Sequence, residues 1–298
     1  SFSSDLRKLG AEFIPLPMDN KGSNPIRDFV LILRLVIVNI RIKPDLVINY
    51  TIKPVIYGAL ACRLTRTTVV SVVTGLGTAF LAENTLQFIV RGLYKISQRG
   101  VKKVIFLNED DRHHFLKRKL VTSEQSKVFP GEGIDLAFFK GGVSVDPYKK
   151  DFCFILGARL LWDKGVGEFI DAARLVKQSH PYVNFKLLGA ADVENRSAIG
   201  LRQIDVWQRE GIVEYLGVER DVRRSISEAD VFVLPSYREG LSRALLEAAA
   251  LGKPIITSRV PGCREIVDDG VSGYLCEPAD VSSLVNAMER MVMLSRDE

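Results

Sequence analysis

Short apolar runs alternate with longer helical stretches along almost the whole chain, and this alternation constrains the fold more than any other feature. AEFIPLP (11–17), DLVINY (45–50), Thr67 to Val73 and Lys102 to Leu107 read as strands. Pro25 to Lys43, Pro54 to Leu64, Glu83 to Gln98 and Glu109 to Lys119 read as helices, the first opened by Asn24 and Pro25. Continuously apolar strands, each followed by a helix, imply parallel sheets covered on both faces.

The stretch GGVSVDPYKK (141–150) breaks this rhythm with two glycines, a proline and paired lysines. A linker is expected at 143–150, between an N-terminal domain (1–142) and a C-terminal one (151–298). The alternation restarts with FCFILGA (152–158), VNFKLLG (183–189), VEYLG (213–217), DVFVLPS (230–236), KPIITS (253–258) and GYLC (273–276) as strands. Gly165 to Gln178, Ala198 to Glu210, Arg243 to Leu251 and Val281 to Leu294 are the expected helices. The second half reads as a complete doubly wound domain. The first reads as incomplete, because no opening strand with a glycine-rich turn precedes Ser1.

With 298 residues, 47% hydrophobic and 26% charged, the chain has enough apolar residues for two cores, which excludes general disorder. Up to Lys140 there are 21 lysines and arginines against 12 acidic residues, and beyond it 20 against 24. A basic first half next to an acidic second half suggests different partners for each. Cys62, Cys153, Cys263 and Cys276 have neither CxxC spacing nor a nearby histidine, so neither a disulfide framework nor a metal site is expected, and a reducing cytoplasm fits. The most apolar run, Phe29 to Ile42, contains Arg34 and Arg41 and is too short to span a bilayer. It is expected to be a buried amphipathic helix; a helix lying in a membrane interface is the other reading.

Two segments carry candidate chemistry. In GARLLWDKG (157–165) a strand ends, Arg159 leaves the carboxyl edge of the sheet, and Lys164 stands at the mouth of the next helix. Two cations beside a helix N-terminus suit a diphosphate. In LPSYREGLSRALLEAAALGKP (234–254), a strand ends near Ser236, Glu239 follows, and Gly240, Leu241 and Ser242 lead into a helix. The amides of these three residues are candidate anion donors. Glu247, set among Ala244, Leu245, Leu246 and Ala248, is a carboxylate that needs a partner, and a ribose diol would provide one.

Taken together, these segments resemble retaining glycosyltransferases of family four, which have the GT-B fold: two Rossmann-like domains facing across a cleft. Glu239 and Glu247 form the E-x7-E motif, and RLLWDKG (159–165) is similar to the diphosphate motif. EYLG (214–217), PGCREIVDDGVSGYLCEP (261–278), YTIKPVIYG (50–58), VTGLGTAF (73–80), NEDD (108–111) and PGEGID (130–135) are similar too. These segments point to a bacterial branch that builds O-antigen, capsule and protein-glycan precursors on polyprenyl diphosphate. The resemblance implies that Arg159 and Lys164 neutralise the diphosphate of a UDP-sugar and that Glu247 holds the ribose. It further implies that Glu239 contacts the donor sugar and that the amides of Gly240, Leu241 and Ser242 touch the sugar or the distal phosphate. No metal or other cofactor is expected, and no DxD follows a strand. The implied partners are the UDP-sugar and a polyprenyl-diphosphate glycan, with peripheral membrane contact and no nucleic acid.

Other features are weaker. Gly75 and Gly77 begin a G-x-G, but Phe80 stands at the third glycine position, so a dinucleotide fingerprint fails. By resemblance this loop lines the acceptor side. Glu132 reads equally as structural or near the donor. His113 and His114 lie on a basic helix and receive no catalytic role. Lys102, Lys103, Arg112, Lys117, Arg118 and Lys119 form a basic set that reads either as a solvated helix face or, for an enzyme with a lipid-diphosphate acceptor, as a patch for an anionic membrane, with little aromatic interleaving for single-stranded nucleic acid. A GT-B transferase on a soluble acceptor and a non-catalytic fragment that binds a nucleotide sugar remain the competing readings.

Overall fold

Among the described residues, every strand that pairs within a sheet runs parallel to its neighbours. The computed structural model describes residues 6–18, 24–76, 85–131, 133–139 and 151–294. The chain divides into two compact units, Ser1–Val128 and Phe129–Glu298. The segment expected to be a linker, 143–150, lies outside the described residues, as do Glu132 and Gly77.

The first unit contains α1 (Pro25–Ile42), β1 (Leu46–Tyr50), a π-helical turn (Pro54–Gly58) running into α2 (Ala59–Thr65), β2 (Thr68–Val73) and α3 (Thr85–Ser97). It continues with β3 (Lys103–Phe106), α4 (Glu109–Lys117) and β4 (Ser126–Val128), and its sheet has the order β1-β2-β3-β4. Val55, Ile56, Cys62, Val69, Val73, Tyr94, Phe106 and Phe115 form its core. Asn24 caps α1 by accepting from the amides of Ile26 and Arg27 at 3.0 and 3.3 Å, and Pro25 occupies a position where no amide is missed.

Two expectations for this unit need correction. AEFIPLP forms no strand: residues 11–18 have no regular structure. Pro15 and Pro17 remove two ladder donors, and the segment is held instead by Arg34 Nη1, which donates to the Pro17 carbonyl at 2.8 Å. Nor is α1 an apolar helix turned inward. Ile26, Phe29, Leu33, Ile37 and Ile40 are exposed, whereas Asp28, Leu31 and Asn39 are buried. The inward face sets Leu31 within a polar seam. Asp28 accepts from Lys53 Nζ at 2.6 Å and from the Tyr57 hydroxyl at 2.8 Å, and Asn39 donates to Thr65 Oγ1 at 3.4 Å. These bonds fix which face of the helix meets the π-helical turn. Among the described residues, no helix is long and apolar enough to cross a membrane.

The second unit begins with the short helix α5 (Leu136–Phe139), followed by β5 (Phe152–Gly157), a 3-10 turn (Trp162–Lys164), α6 (Val166–Ser179), β6 (Val183–Leu188), α7 (Leu201–Arg209) and β7 (Glu214–Tyr215). Next come α8 (Arg223–Glu228), β8 (Val231–Leu234), α9 (Arg243–Ala250), β9 (Ile255–Ser258), β10 (Gly273–Cys276) and α10 (Val281–Met293). The strand order is β10-β9-β8-β5-β6-β7. The chain moves outward from β5 through β6 to β7, then returns to the other side of β5 as β8. Both sheet faces are buried, as the apolar strands require. Phe154, Leu156, Phe185, Leu187 and Val233 face Phe169, Ile170, Trp207, Leu284 and Met288. Cys153, Ile155, Phe232 and Leu234 face Ile226, Leu245, Ala248 and Cys263. All four cysteines are buried.

The carboxyl ends of β5 and β6 meet so closely that one position tolerates only glycine. Gly189 has φ of 134°, and a β-carbon there would lie 1.8 Å from the Ala158 carbonyl oxygen. Gly189→Ala is therefore expected to lower stability by at least about 2 kcal/mol, read as a reduced urea midpoint with an unchanged m-value. A midpoint equal to that of the parent would contradict the close approach.

Candidate active site

The reversal of strand order between β5 and β8 leaves the loops after these two adjacent strands side by side at the carboxyl edge of the sheet. In open α/β sheets this is where ligands bind. The β5 loop is fixed by backbone bonds: Ala158 N to Leu188 O at 3.0 Å, Leu160 N to Ala190 O at 2.8 Å and Trp162 N to Ser197 O at 2.8 Å. Its 3-10 turn ends at Gly165, whose φ is 72°. A β-carbon there would lie 2.1 Å from the Pro235 carbonyl oxygen, so the β5 and β8 loops are in backbone contact. Tyr237 N donates to Asp163 O at 3.0 Å, joining the loops a second time.

This arrangement brings Lys164 and Glu239 together although they are 75 residues apart. The Lys164 ammonium and Glu239 Oε1 form an ion pair, and each side chain is 15% exposed. Ser236, fully buried, places its hydroxyl 2.9 Å from the same Oε1 and 3.3 Å from the Asp163 carbonyl oxygen. A third loop, after β9, supports the Glu239 backbone. Glu239 N donates to Pro261 O at 3.1 Å, and Gly262, with φ of 82°, leaves no room for a β-carbon against the Glu239 carbonyl.

The other sequence-derived residues occupy the same edge with different surroundings. Arg159 is exposed and makes no ion pair among the described residues. Gly240, Leu241 and Ser242 form the turn into α9, with Ser242 at its N-cap. The Ser242 amide is engaged with the protein, donating to Gly262 O at 2.9 Å. Glu247, 18% exposed on α9, accepts from Arg243 Nε at 3.0 Å. The partner that its apolar setting demands in this structure is thus the arginine one turn earlier. Gly131 packs on this turn, since a β-carbon there would lie 2.4 Å from Leu241 Cδ2.

Four contributors were not read from the sequence: Ser236, Tyr237, Glu168 and Gly262. The Tyr237 hydroxyl bonds the Glu168 carboxylate, and partial burial together with that carboxylate pushes the phenol up to about 12. Only Gly262 had a local signal, the Pro261–Gly262 turn dipeptide. Cys263, beside this network, is pushed up to about 12 by burial and stays a thiol at neutral pH. Among the described residues, no group of three His, Cys, Asp or Glu side chains could hold a metal ion.

The chain is similar to known proteins along most of its length. The family model for glycosyl transferases group 1 matches residues 150–293, and the model for glycosyl transferase 4-like proteins matches residues 3–108. A relative from Campylobacter jejuni, N,N'-diacetylbacillosaminyl-diphospho-undecaprenol alpha-1,3-N-acetylgalactosaminyltransferase, is 28% identical over all of this chain and 80% of its own length. The UDP-Gal:alpha-D-GlcNAc-diphosphoundecaprenol alpha-1,3-galactosyltransferase of Escherichia coli is 27% identical over 84% of this chain and 66% of its own length. Among solved structures, Anabaena HepE in complex with UDP and glucose superimposes with a TM-score of 0.77, at 21% identity, over 98% of this chain and 80% of that one. A sucrose-phosphate synthase from Thermosynechococcus elongatus gives a TM-score of 0.70 at 19% identity over 89% of this chain and 69% of that one. With its two parallel α/β units and its matches to both family models, the chain belongs to the glycosyltransferases of family four and has the GT-B fold.

Proposed function

We propose that the chain transfers a hexose or N-acetylhexosamine from a UDP-sugar to a saccharide carried on polyprenyl diphosphate, with retention of anomeric configuration. The observation that carries this reading is the Lys164–Glu239 pair at the strand-order reversal, directly before the N-terminus of α9. The two relatives named for diphospho-undecaprenol acceptors support the acceptor class. The residues 1–142 would form the acceptor-binding domain, 143–150 the linker and 151–298 the donor domain.

In this reading Arg159 and Lys164 take the diphosphate oxygens. Their positive charge stabilises the negative charge that develops as UDP departs, the role a metal ion fills in other transferases. The turn at Gly240 and Leu241 adds backbone donors and the dipole of α9. Glu239 accepts from donor-sugar hydroxyls, and Glu247 turns from Arg243 to the ribose diol. The bond between the anomeric carbon and the β-phosphate oxygen breaks. The acceptor hydroxyl oxygen bonds to the anomeric carbon on the same face, and its proton passes to the departing phosphate oxygen. The enzyme would meet its lipid-linked acceptor peripherally, on the cytoplasmic face, through the basic set around α4.

Calorimetric titration is expected to show UDP binding that Lys164→Ala and Glu247→Ala each weaken about tenfold or more, with circular dichroism unchanged. Equal affinity in both variants would remove the nucleotide from this edge. The new glycosidic linkage, read by proton NMR, is expected to keep the α configuration of an α-linked UDP-sugar; a β linkage would overturn retention. Transfer to a detergent-solubilised polyprenyl-diphosphate saccharide, but not to the free saccharide, is expected; efficient use of the free sugar would favour a soluble acceptor.

A further inference from the structure

The Glu239 carboxylate has two neighbours on one oxygen, and they differ in kind. Lys164 is an ammonium on a flexible four-carbon stem. Ser236 is a fully buried hydroxyl on the residue two beyond β8. A diphosphate arriving at Lys164 brings more negative charge than one carboxylate, so the ammonium is drawn away from Glu239. The backbone of Glu239 cannot follow, because Pro261 O holds its amide at 3.1 Å and Gly262 abuts its carbonyl. Ser236 cannot follow either: it lies at the end of a buried strand, and its neighbour Tyr237 is tied to Asp163.

We infer that Lys164 exchanges partners when the donor binds, and that Ser236 is the positioning residue that keeps Glu239 aimed at the donor sugar after the exchange. A hydroxyl has one proton to donate, and Glu239 Oε1 is both its closer and its charged acceptor; the Asp163 carbonyl at 3.3 Å is the weaker alternative. The Lys164–Glu239 pair therefore has two effects in the free enzyme. It neutralises both groups in a partly desolvated site, and it competes with the nucleotide for the ammonium. A ligand shifts such a pair only through its differential interaction with the two arrangements. Ser236 touches neither nucleotide nor sugar; it acts through Glu239.

This inference rests on the proposed UDP-sugar site, and one set of titrations separates the two. UDP, UDP-N-acetylgalactosamine, UDP-galactose and UDP-glucose are titrated calorimetrically into the parent chain and into Glu239→Gln, Ser236→Ala and Ser236→Thr. Glu239→Gln is expected to bind plain UDP about fivefold more tightly than the parent, because the internal competitor for Lys164 has lost its charge. Ser236→Ala is expected to bind plain UDP within about twofold of the parent. For whichever UDP-sugar the parent prefers over UDP, the extra affinity from the sugar should fall about tenfold in Ser236→Ala and return in Ser236→Thr. Weaker UDP binding by Glu239→Gln would overturn the partner exchange. An undiminished sugar increment in Ser236→Ala, or equal losses for UDP and UDP-sugar, would overturn the positioning role while leaving the donor site intact. No UDP binding by the parent would overturn the donor site itself, and the inference with it; UDP binding with no UDP-sugar preferred over UDP would overturn the sugar contact of Glu239 and with it the positioning role of Ser236.

Discussion

The contact between Gly165 and the Pro235 carbonyl holds the second unit's active edge together. Because β8 returns to the free side of β5, the two loops leave the sheet next to each other and then diverge, α6 following one and α9 the other. Their backbones touch only because residue 165 has no side chain and adopts a left-handed φ. With the loops at that distance, a lysine closing one and a glutamate in the other are within ion-pairing reach. A bulkier residue at 165 would separate the loops, and the charges would face water instead of each other. The topology thus creates the place, and one glycine sets the spacing within it.

Charged and polar groups at this place are arranged in layers of decreasing exposure. Arg159 is exposed, Lys164 and Glu239 are mostly buried, and Ser236 is fully buried. An ion pair this desolvated is weak evidence for stability, because removing two charges from water offsets much of their attraction. Its presence makes more sense as preorganisation. In the proposed function the ammonium is already placed where the diphosphate would arrive, and the carboxylate is already stripped of most of its water. Glu247 follows the same pattern with Arg243 as its resident partner, an exposed side chain that can yield its place.

Much of this was legible in the sequence. The runs FCFILG, VNFKLL and DVFVL read as strands of a covered sheet, and the helices between them forced parallel pairing. Glu239, Glu247, Arg159 and Lys164 stood out through their position after strands and through their resemblance to a known motif. The details that failed share a cause: they depend on contacts between distant residues. AEFIPLP has the composition of a strand but, with two prolines and no ladder partner among the described residues, runs irregularly. The apolar run of α1 implied an inward apolar face, yet Asp28 and Asn39 turn inward because Lys53, Tyr57 and Thr65 await them. Ser236 carried no local signal, since its importance arises from Asp163 and Glu239 meeting beside it. Likewise α8 (RRSISE) and β4 (SKV) are too short and too polar for periodicity to reveal them.

The account's central claim is that the loops after β5 and β8 hold the nucleotide. Hydrogen–deuterium exchange, followed by mass spectrometry with and without UDP, tests it most directly. Protection concentrated in residues 158–165 and 236–247, with the rest of the second unit's sheet unchanged, is the predicted result. UDP-dependent protection that spares both loops and falls elsewhere on the chain would contradict it.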